Sequence, residues 1–165
     1  METKKQGWEI YRDDKFAVIR GAISWDSANF LFNYLGVKRT VAEKLLSDDY
    51  ESELIGTFEE TDTDKSVYSI YGDIAIDTAM LKVKQQVNKL IGEQIYPTYS
   101  YARIYPYESI VAPHKDREEC EIACSMYLGG IKWDMFVEGK NGPERIDLNI
   151  GDMIVCSPIL RELKK

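Results

Sequence analysis

The hydrophobic periodicity of the sequence changes near residue 96, and this change constrains the fold more than any other feature. Before it, apolar residues recur at helical spacing; after it, short apolar runs alternate with turn residues. Regularly spaced short strands behind a helical segment favour a jelly-roll or barrel with helices packed against one sheet. We therefore predict an α+β fold in a single domain over residues 1–165, with a helical support region at about 16–95 and a β core at about 96–157.

The first part of the support region predicts one strand and two helices. Phe16–Ile19 is a short apolar run typical of a strand. Ser24 offers a capping hydroxyl for a helix that ends at Gly36, and Val37–Leu46 predicts a second short helix. Residues 47–66 are polar and acidic, so we predict a solvated loop there.

The longest predicted helix runs from about Asp73 to Glu93. Asp73 can cap its N-terminus, while Gly92 and Pro97 mark its end. Five apolar residues share one helical face: Met80, Val83, Val87, Leu90 and Ile91. We expect this face to pack against a sheet.

Beyond residue 96 the sequence predicts six short strands separated by turn residues. The strands are predicted at Thr98–Tyr105, Ser109–Pro113, Cys120–Leu128, Lys132–Glu138, Glu144–Leu148 and Asp152–Cys156. The turns are predicted at Pro106, Gly129-Gly130, Asn141-Gly142-Pro143 and Gly151-Asp152. This spacing is the main reason to expect a jelly-roll or barrel.

Composition limits the partners and the compartment. The chain carries 21 basic and 28 acidic residues, and this net charge of −7 argues against binding nucleic acid or an anionic membrane. No apolar run approaches the roughly 20 residues of a membrane span, and Met1–Gly7 has no apolar signal core. Cys120, Cys124 and Cys156 include no C-x-x-C pair, so we expect free thiols. We predict a cytoplasmic protein.

A single histidine, His114, excludes every site that needs two histidines from one chain. It stands two residues before Asp116, and side chains at i and i+2 of an extended strand leave the same face. The imidazole and the carboxylate can therefore meet at one ion, as in iron sites built from two histidines and one carboxylate. Alone the motif is a weak indicator, because a surface ion pair explains it equally well.

The residues around His114 make the motif more specific. Five segments occur in order: Pro97–Tyr105, Pro113–Arg117, Glu119–Glu121, Tyr127–Gly129 and Gly151–Val155. Their order and spacing resemble the Fe(II)- and 2-oxoglutarate-dependent oxygenases of the prolyl 4-hydroxylase-like family, from about Phe16 to Val155. The resemblance implies a dioxygenase, an oxidoreductase of the hydroxylase type. Its core would be a double-stranded β-helix (jelly-roll, cupin-like) with N-terminal supporting helices.

The resemblance also implies a ligand set. His114 and Asp116 match the family's proximal iron ligands. Tyr105 and Tyr127 fall where related hydroxylases place tyrosines that line the 2-oxoglutarate pocket, although ordinary strand packing would also explain both. Arg103 leaves its strand on the face of Tyr105, towards either a substrate or a structural ion pair. The implied cofactors are Fe(II) and 2-oxoglutarate, with ascorbate as a candidate reductant.

The end of the sequence departs from the family pattern. Leu163 stands near the position of the distal iron-binding histidine, and Arg161 and Lys164 lack the spacing of the cation that binds 2-oxoglutarate. We therefore expect a half-complete iron site, with water or Glu162 as an improvised third ligand, in a core apparently truncated at its C-terminus. Missing strands would leave a sheet edge uncovered, which predicts a partner chain or self-association there.

The leading prediction is an oxygenase-like protein with little or no activity as an isolated chain. Two alternatives remain: a non-catalytic jelly-roll module that binds a small molecule or a protein, and a truncated, inactive remnant. A zinc site from Cys120, Cys124 and His114 lacks the paired short spacings of zinc fingers, and no phosphate-loop motif is present. Counting alone leaves a Ser-His-Asp triad open, but the sequence has no G-x-S-x-G elbow.

Overall fold

A computed structural model describes residues 11, 14–50, 52–59, 67–107, 109–112, 114, 116 and 120–157. The elements, in chain order, are β1 (Phe16–Ile19), α1 (Trp25–Ser47), β2 (Thr57–Glu59), β3 (Val67–Tyr71), α2 (Ile74–Ile91), β4 (Tyr101–Ile104), β5 (Ala123–Met126), β6 (Met135–Gly139), β7 (Gly142–Ile146) and β8 (Met153–Cys156). The described sheets are open and contain three, three and two strands, and all pairings are antiparallel.

The chain divides into two compact units. The first unit contains Met1–Ala28, Val83–Ile95 and Ala112–Lys165, and the second contains Asn29–Lys82 and Tyr96–Val111. Helix α1 begins in the first unit and continues in the second, whereas α2 begins in the second and ends in the first. The single domain remains a prediction.

Strand β8 lies at the centre of the sheet in the first unit, between β1 and β5. All four of its residues are buried, and Cys156 stands opposite Phe16 on one side and Ala123 on the other. A short apolar run with both faces covered is the expected sequence of a central strand, as MIVC is here. The Gly151-Asp152 turn leads directly into this strand.

Strands β6 and β7 form a hairpin in the same unit. Gly139 pairs with Gly142 across a turn formed by Lys140 and Asn141, and Gly142 has a φ of 115°, which a glycine adopts without strain. The buried core joins residues of the sheet and of the hairpin region: Phe16, Ile146, Leu148, Ile154 and Cys156. The predicted strands at both sides of this turn are therefore present, with shifted ends.

Both predicted helix caps are confirmed. Asp73 Oδ1 accepts the backbone N–H groups of Ala75 at 2.9 Å and Ile76 at 3.3 Å, at the start of α2. Ser24 Oγ accepts the N–H of Ser27 at 3.2 Å, at the start of α1. Each side chain satisfies donors that have no partner within the helix.

The last turns of α2 belong to the first unit. Val83 and Val87 are buried, as the predicted apolar face requires, and Gln86 Nε2 donates a hydrogen bond of 2.7 Å to Ala22 O. Gly92, with a φ of 82°, ends the helix. Among the described helices, none combines the length and the apolar character that a membrane span needs.

In the second unit, β3 lies between β2 and β4. Three buried residues share one face of this sheet: Tyr68, Ile70 and Ala102. Tyr71 pairs directly with Tyr101 and belongs to the opposite face. That opposite face is aromatic and partly exposed at the Tyr71 end of the strand, whereas Val67 and Ser69 on the same face are buried.

The predicted helix end at Gly36 and the separate helix from Val37 are wrong, because α1 is continuous. Buried Leu31, Leu35 and Ala42 continue one apolar stripe across the glycine. This packing outweighs the cost of about 1 kcal/mol for glycine in a helix interior. Tertiary packing of these side chains therefore outweighs the local tendency of glycine to end a helix.

The prediction of a solvated loop over residues 47–66 is wrong in part, because β2 lies at Thr57–Glu59. Strand β3, with the sequence VYSIY, was not predicted at all. Its β-branched and aromatic residues favour a strand. Polar residues precede this run and a helix follows it directly. The sequence therefore shows no clear alternation of apolar and polar residues that would indicate a strand.

Three predicted strands differ from the structure. β4 and β5 are shorter than predicted, and residues 109–112 form no strand. Ser109 instead donates two hydrogen bonds to Pro106 O, from its N–H at 3.2 Å and from its hydroxyl at 2.8 Å. These bonds form a local turn in place of the hydrogen bonds between strands. Pro113 lies outside the described residues. No disulfide joins Cys120, Cys124 or Cys156 in the described part of the chain.

Candidate functional site

The structure brings His114 and Asp116 together at the surface of the first unit. His114 Nε2 lies 3.8 Å from Asp116 Oδ1, and the two side chains are 58% and 24% exposed. Neither residue lies in a strand, and residues 113 and 115 are not described. The side chains nevertheless meet as i and i+2 residues of an extended segment are expected to do.

The backbone orients the ring of His114. Its Nδ1 lies 3.0 Å from Ala112 O. When Nδ1 carries the proton and donates it to this carbonyl, Nε2 keeps a lone pair on the side of Asp116. A backbone carbonyl on the far nitrogen is a common way of fixing a metal-binding histidine.

The spacing of this pair is compatible with one shared cation. Nitrogen and oxygen ligands bind transition metals at about 2.1 Å, so two donors of one ion stand at most about 4.2 Å apart. The observed 3.8 Å satisfies this limit.

In the part of the chain that is described, no three His, Cys, Asp or Glu side chains form a metal-binding group. Four residues discussed above lie outside that part: Arg161, Glu162, Leu163 and Lys164.

Tyr127 lies in the same unit, directly after β5. Its phenol donates a hydrogen bond of 2.8 Å to Gly130 O, and its half-buried ring packs against the core. Its backbone N–H donates to Asp152 O, and its carbonyl accepts the N–H of Gly151. Tyr127 is therefore anchored to the Gly-Asp turn, and its role in binding 2-oxoglutarate remains a prediction.

Tyr105 lies in the second unit, next to Arg103. Arg103 Nη1 donates to the Tyr105 hydroxyl at 3.3 Å, and Arg103 Nε donates to the Tyr101 hydroxyl at 2.7 Å. Burial would lower the pKa of Arg103, but these hydrogen bonds outweigh it and raise the pKa above its ordinary value. Arg103 therefore packs among phenols, and its suggested substrate contact or ion pair remains a prediction.

These residues belong to a larger aromatic surface in the second unit. Tyr71 stacks on Tyr101 with ring centroids 4.0 Å apart, and Tyr99 lies 5.8 Å from Tyr71. The tyrosine–arginine surface consists of Tyr71, Tyr99, Tyr101, Arg103 and Tyr105. Tyr71 could not be assigned to this surface from the sequence, because β3 was not predicted. The β-branched and aromatic run VYSIY was the signal that could have indicated this strand.

Asp152, in the Gly-Asp turn, has a structural role. Its carboxylate accepts hydrogen bonds from Gly21 N at 2.8 Å, Asn149 N at 2.9 Å and Arg20 Nη1 at 2.6 Å, and the residue is only 4% exposed. Burial would raise the pKa of Asp152, but these hydrogen bonds outweigh it and lower the pKa. This carboxylate ties the loop after β1 to the turn before β8.

Comparison of the sequence with protein-family models and with curated proteins gives no match. Among solved structures, the chain is similar to the crystal structure of a Pseudomonas putida prolyl-4-hydroxylase, with a TM-score of 0.66 and 11% sequence identity. The match covers 92% of this chain and 84% of that chain. At this identity the likeness concerns the fold alone, so the chain has a prolyl-hydroxylase-like fold.

Proposed function

We propose that this protein is an Fe(II)- and 2-oxoglutarate-dependent oxygenase-like protein with a double-stranded β-helix core, in which His114 and Asp116 bind the metal as a pair. The observation that carries the proposal is the distance of 3.8 Å between His114 Nε2 and Asp116 Oδ1. The prolyl-hydroxylase-like fold supports it, because the two residues follow β4 and precede β5 in the order expected of the family.

In this proposal each residue has a defined task. His114 directs the lone pair of Nε2 outward while Ala112 O holds Nδ1, and Asp116 supplies a negatively charged oxygen beside it. Bound iron, with 2-oxoglutarate, supplies the oxidising chemistry that hydroxylases use. The residues of the chain bind and orient these groups and do not themselves carry out a redox step.

Tyr105 and Tyr127 are proposed to donate phenolic hydrogen bonds to the carboxylates of 2-oxoglutarate. The Tyr105 hydroxyl oxygen accepts a hydrogen bond of 3.3 Å from Arg103 Nη1. Tyr127 donates to Gly130 O and would exchange this bond for one to the cosubstrate. Truncation of either phenol to phenylalanine therefore tests the assignment with little change in volume.

An anaerobic titration with Fe(II) and 2-oxoglutarate, followed by an oxygen-dependent succinate assay, tests this function. We expect weak binding that requires His114, and little or no succinate, because two protein ligands hold a metal less firmly than three. Asp48→Ala, which removes an exposed carboxylate far along the sequence from the site, is the matched control for Asp116→Ala. Tight iron binding with steady turnover would contradict the half-complete site, and binding unchanged in His114→Ala would contradict the site itself.

The tyrosine–arginine surface favours a second candidate, a non-catalytic module that binds a small molecule or a protein. Stacked, partly exposed rings beside a guanidinium offer apolar area, hydrogen bonds and positive charge together. A thermal-shift screen with small aromatic and carboxylic acids would test it. Stabilisation that is lost in Tyr71→Ala and kept in His114→Ala favours the module over the iron site. Cytoplasmic localisation remains a prediction, as does pairing with a partner chain or a second copy at an uncovered sheet edge.

A further inference from the structure

Helix α1 carries a second apolar stripe in the second unit. Three of its four residues are exposed, and the fourth, Tyr34, is half-buried and donates a hydrogen bond of 2.7 Å to Asp73 Oδ2. Phe30, Tyr34, Val37 and Val41 follow the spacing i, i+4, i+7, i+11, so they lie along one side of the helix. Phe30 and Val37 are each 65% exposed and Val41 is 41% exposed, and Phe30 stacks on Tyr34. The core of the unit takes a different stripe of this helix: Leu31, Leu35 and Ala42.

The spacing of this stripe indicates what kind of surface it fits. Phe30 and Val37 are seven residues apart, as are Tyr34 and Val41, and this is the heptad spacing with which one helix packs along another through interlocking side chains. The stripe is continuous over three helical turns, as a surface that packs along a second helix is. The stripe is thus best matched by another helix.

We propose that α1 pairs antiparallel with α1 of a second copy of this chain. A two-fold axis between residues 35 and 36 would place Phe30 opposite the partner's Val41, and Tyr34 opposite the partner's Val37. Each layer then combines a large aromatic ring with a smaller β-branched side chain, which lets facing layers interlock. The stripe is complementary to itself only in this orientation, because a parallel pair would stack ring on ring.

The charges at the two ends of α1 agree with the antiparallel orientation. Asp26 lies in the first turn and Lys44 in the last, both are exposed, and 18 residues separate them. Eighteen residues are five full helical turns, so both project along the same side. In the antiparallel pair each Asp26 comes close to the partner's Lys44, whereas a parallel pair would bring like charges together.

The pair is expected to be weak. The stripe from Phe30 to Val41 spans only about 16 Å, and stable complexes bury about 800 Å² on each partner. The net charge of −7 on each copy also opposes association. Dissociation is therefore expected in the micromolar range or above, so the dimer forms only in concentrated protein.

Sedimentation velocity of the full chain from about 5 to about 500 micromolar tests the proposal over the range expected for a small interface. The mean mass is expected to rise from 19.0 kDa towards twice that value as the concentration increases. Val37→Glu is expected to remain a monomer throughout, because it places two negative charges in the centre of the pair. Glutamate is also a better helix former than valine, so the variant keeps its fold.

Two controls make the outcome specific. Leu54→Glu changes an exposed apolar residue of the same unit by the same charge and should associate like the wild type. Lys44→Glu should weaken the dimer several-fold, and Asp26→Lys combined with Lys44→Glu should restore it. A wild-type chain that stays monomeric overturns the proposal. So does association that persists in Val37→Glu, which would place the contact elsewhere on the chain.

Discussion

Two short motifs of the first unit end in an aspartate, and the two carboxylates have opposite environments. Asp152, after Gly151, is almost fully buried and accepts three hydrogen bonds from Gly21, Asn149 and Arg20. Asp116 keeps a quarter of its side chain exposed and lies 3.8 Å from the imidazole of His114, which is more exposed still. Both motifs suggested the same family, but only the first is explained by the packing of the fold.

The contrast indicates which residues the fold requires. The Gly-Asp turn lies where β8, the loop after β1 and Tyr127 meet, so its residues are constrained by neighbours on every side. His114 and Asp116 place a nitrogen and an oxygen atom at a distance that fits one cation.

The largest expected effect is that of Gly151→Ala. Gly151 has a φ of 87°, and an added Cβ would lie 2.5 Å from the backbone oxygen of Ile23. This backbone oxygen cannot move aside as the end of a flexible side chain could. We therefore expect the unfolding free energy to fall by at least about 3 kcal/mol. Urea unfolding followed by circular dichroism measures it.

Gly36→Ala is the matched control for this substitution. Gly36 lies inside α1, and no atom lies within 4 Å of an added Cβ. The same chemical change should therefore stabilise the protein by about 0.5 to 1 kcal/mol. Equal effects of the two alanines would show that the turn is not constrained as described.

Asp152→Ala is expected to cost about 2 to 3 kcal/mol, because it leaves the N–H groups of Gly21 and Asn149 without their acceptor. Most of the cost should come from these backbone donors, since Arg20 is largely exposed and can turn to water. Chemical unfolding of Asp152→Ala and Asp152→Asn separates the two contributions. A loss below about 0.5 kcal/mol in Asp152→Ala would contradict a structural role.

Stability should fall in acid because of Asp152 and Asp73. Burial would raise the pKa of Asp73, but hydrogen bonds from Lys38 at 2.6 Å and Tyr34 at 2.7 Å outweigh it and lower the pKa. A lowered folded-state pKa stabilises the fold above the unfolded value of about 3.9, and this contribution is lost as the pH falls through the folded value.

Unfolding at several pH values tests this linkage. We expect a loss of about 1 kcal/mol or more between about pH 5 and about pH 2. The pH dependence should be smaller in Asp73→Asn and in Asp152→Asn, because each variant lacks one of the titrating carboxyls. An unchanged dependence in both variants would assign acid sensitivity to other groups.

The smallest expected effect on stability is that of the H-x-D pair. His114→Ala and Asp116→Ala should change the unfolding free energy by less than about 0.5 kcal/mol without metal, because the 3.8 Å between the two side chains is too long for a hydrogen bond. The measurement is the same urea titration used for Asp152→Ala. A loss comparable to that of Asp152→Ala would remove the contrast between the motifs and make the pair a structural ion pair.

The sequence predicted those features that depend on local chemistry. The caps at Ser24 and Asp73 and the buried run of β8 follow from short-range rules, and the structure has all of them. The meeting of His114 with Asp116 also follows from the spacing of i and i+2 side chains. Each of these features involves residues that are close along the chain.

The features that were missed depend on long-range packing. Gly36 continues a helix because Leu31, Leu35 and Ala42 all face the core, which no local propensity reveals. Tyr71 joins the tyrosine–arginine surface only because β3 pairs with β4, 30 residues further on in the sequence. The three bonds to Asp152 come partly from Arg20 and Gly21, near the other end of the described chain.

The central claim is that His114 and Asp116 bind one divalent cation, and anaerobic calorimetric titration of the full chain with Fe(II) tests it most directly. Binding at one site is predicted for the wild type and for Asp48→Ala. Affinity should fall at least about tenfold in His114→Ala and in Asp116→Ala, while the urea midpoints stay unchanged. A wild type that binds no Fe(II), or that binds it equally well without His114, would contradict the claim.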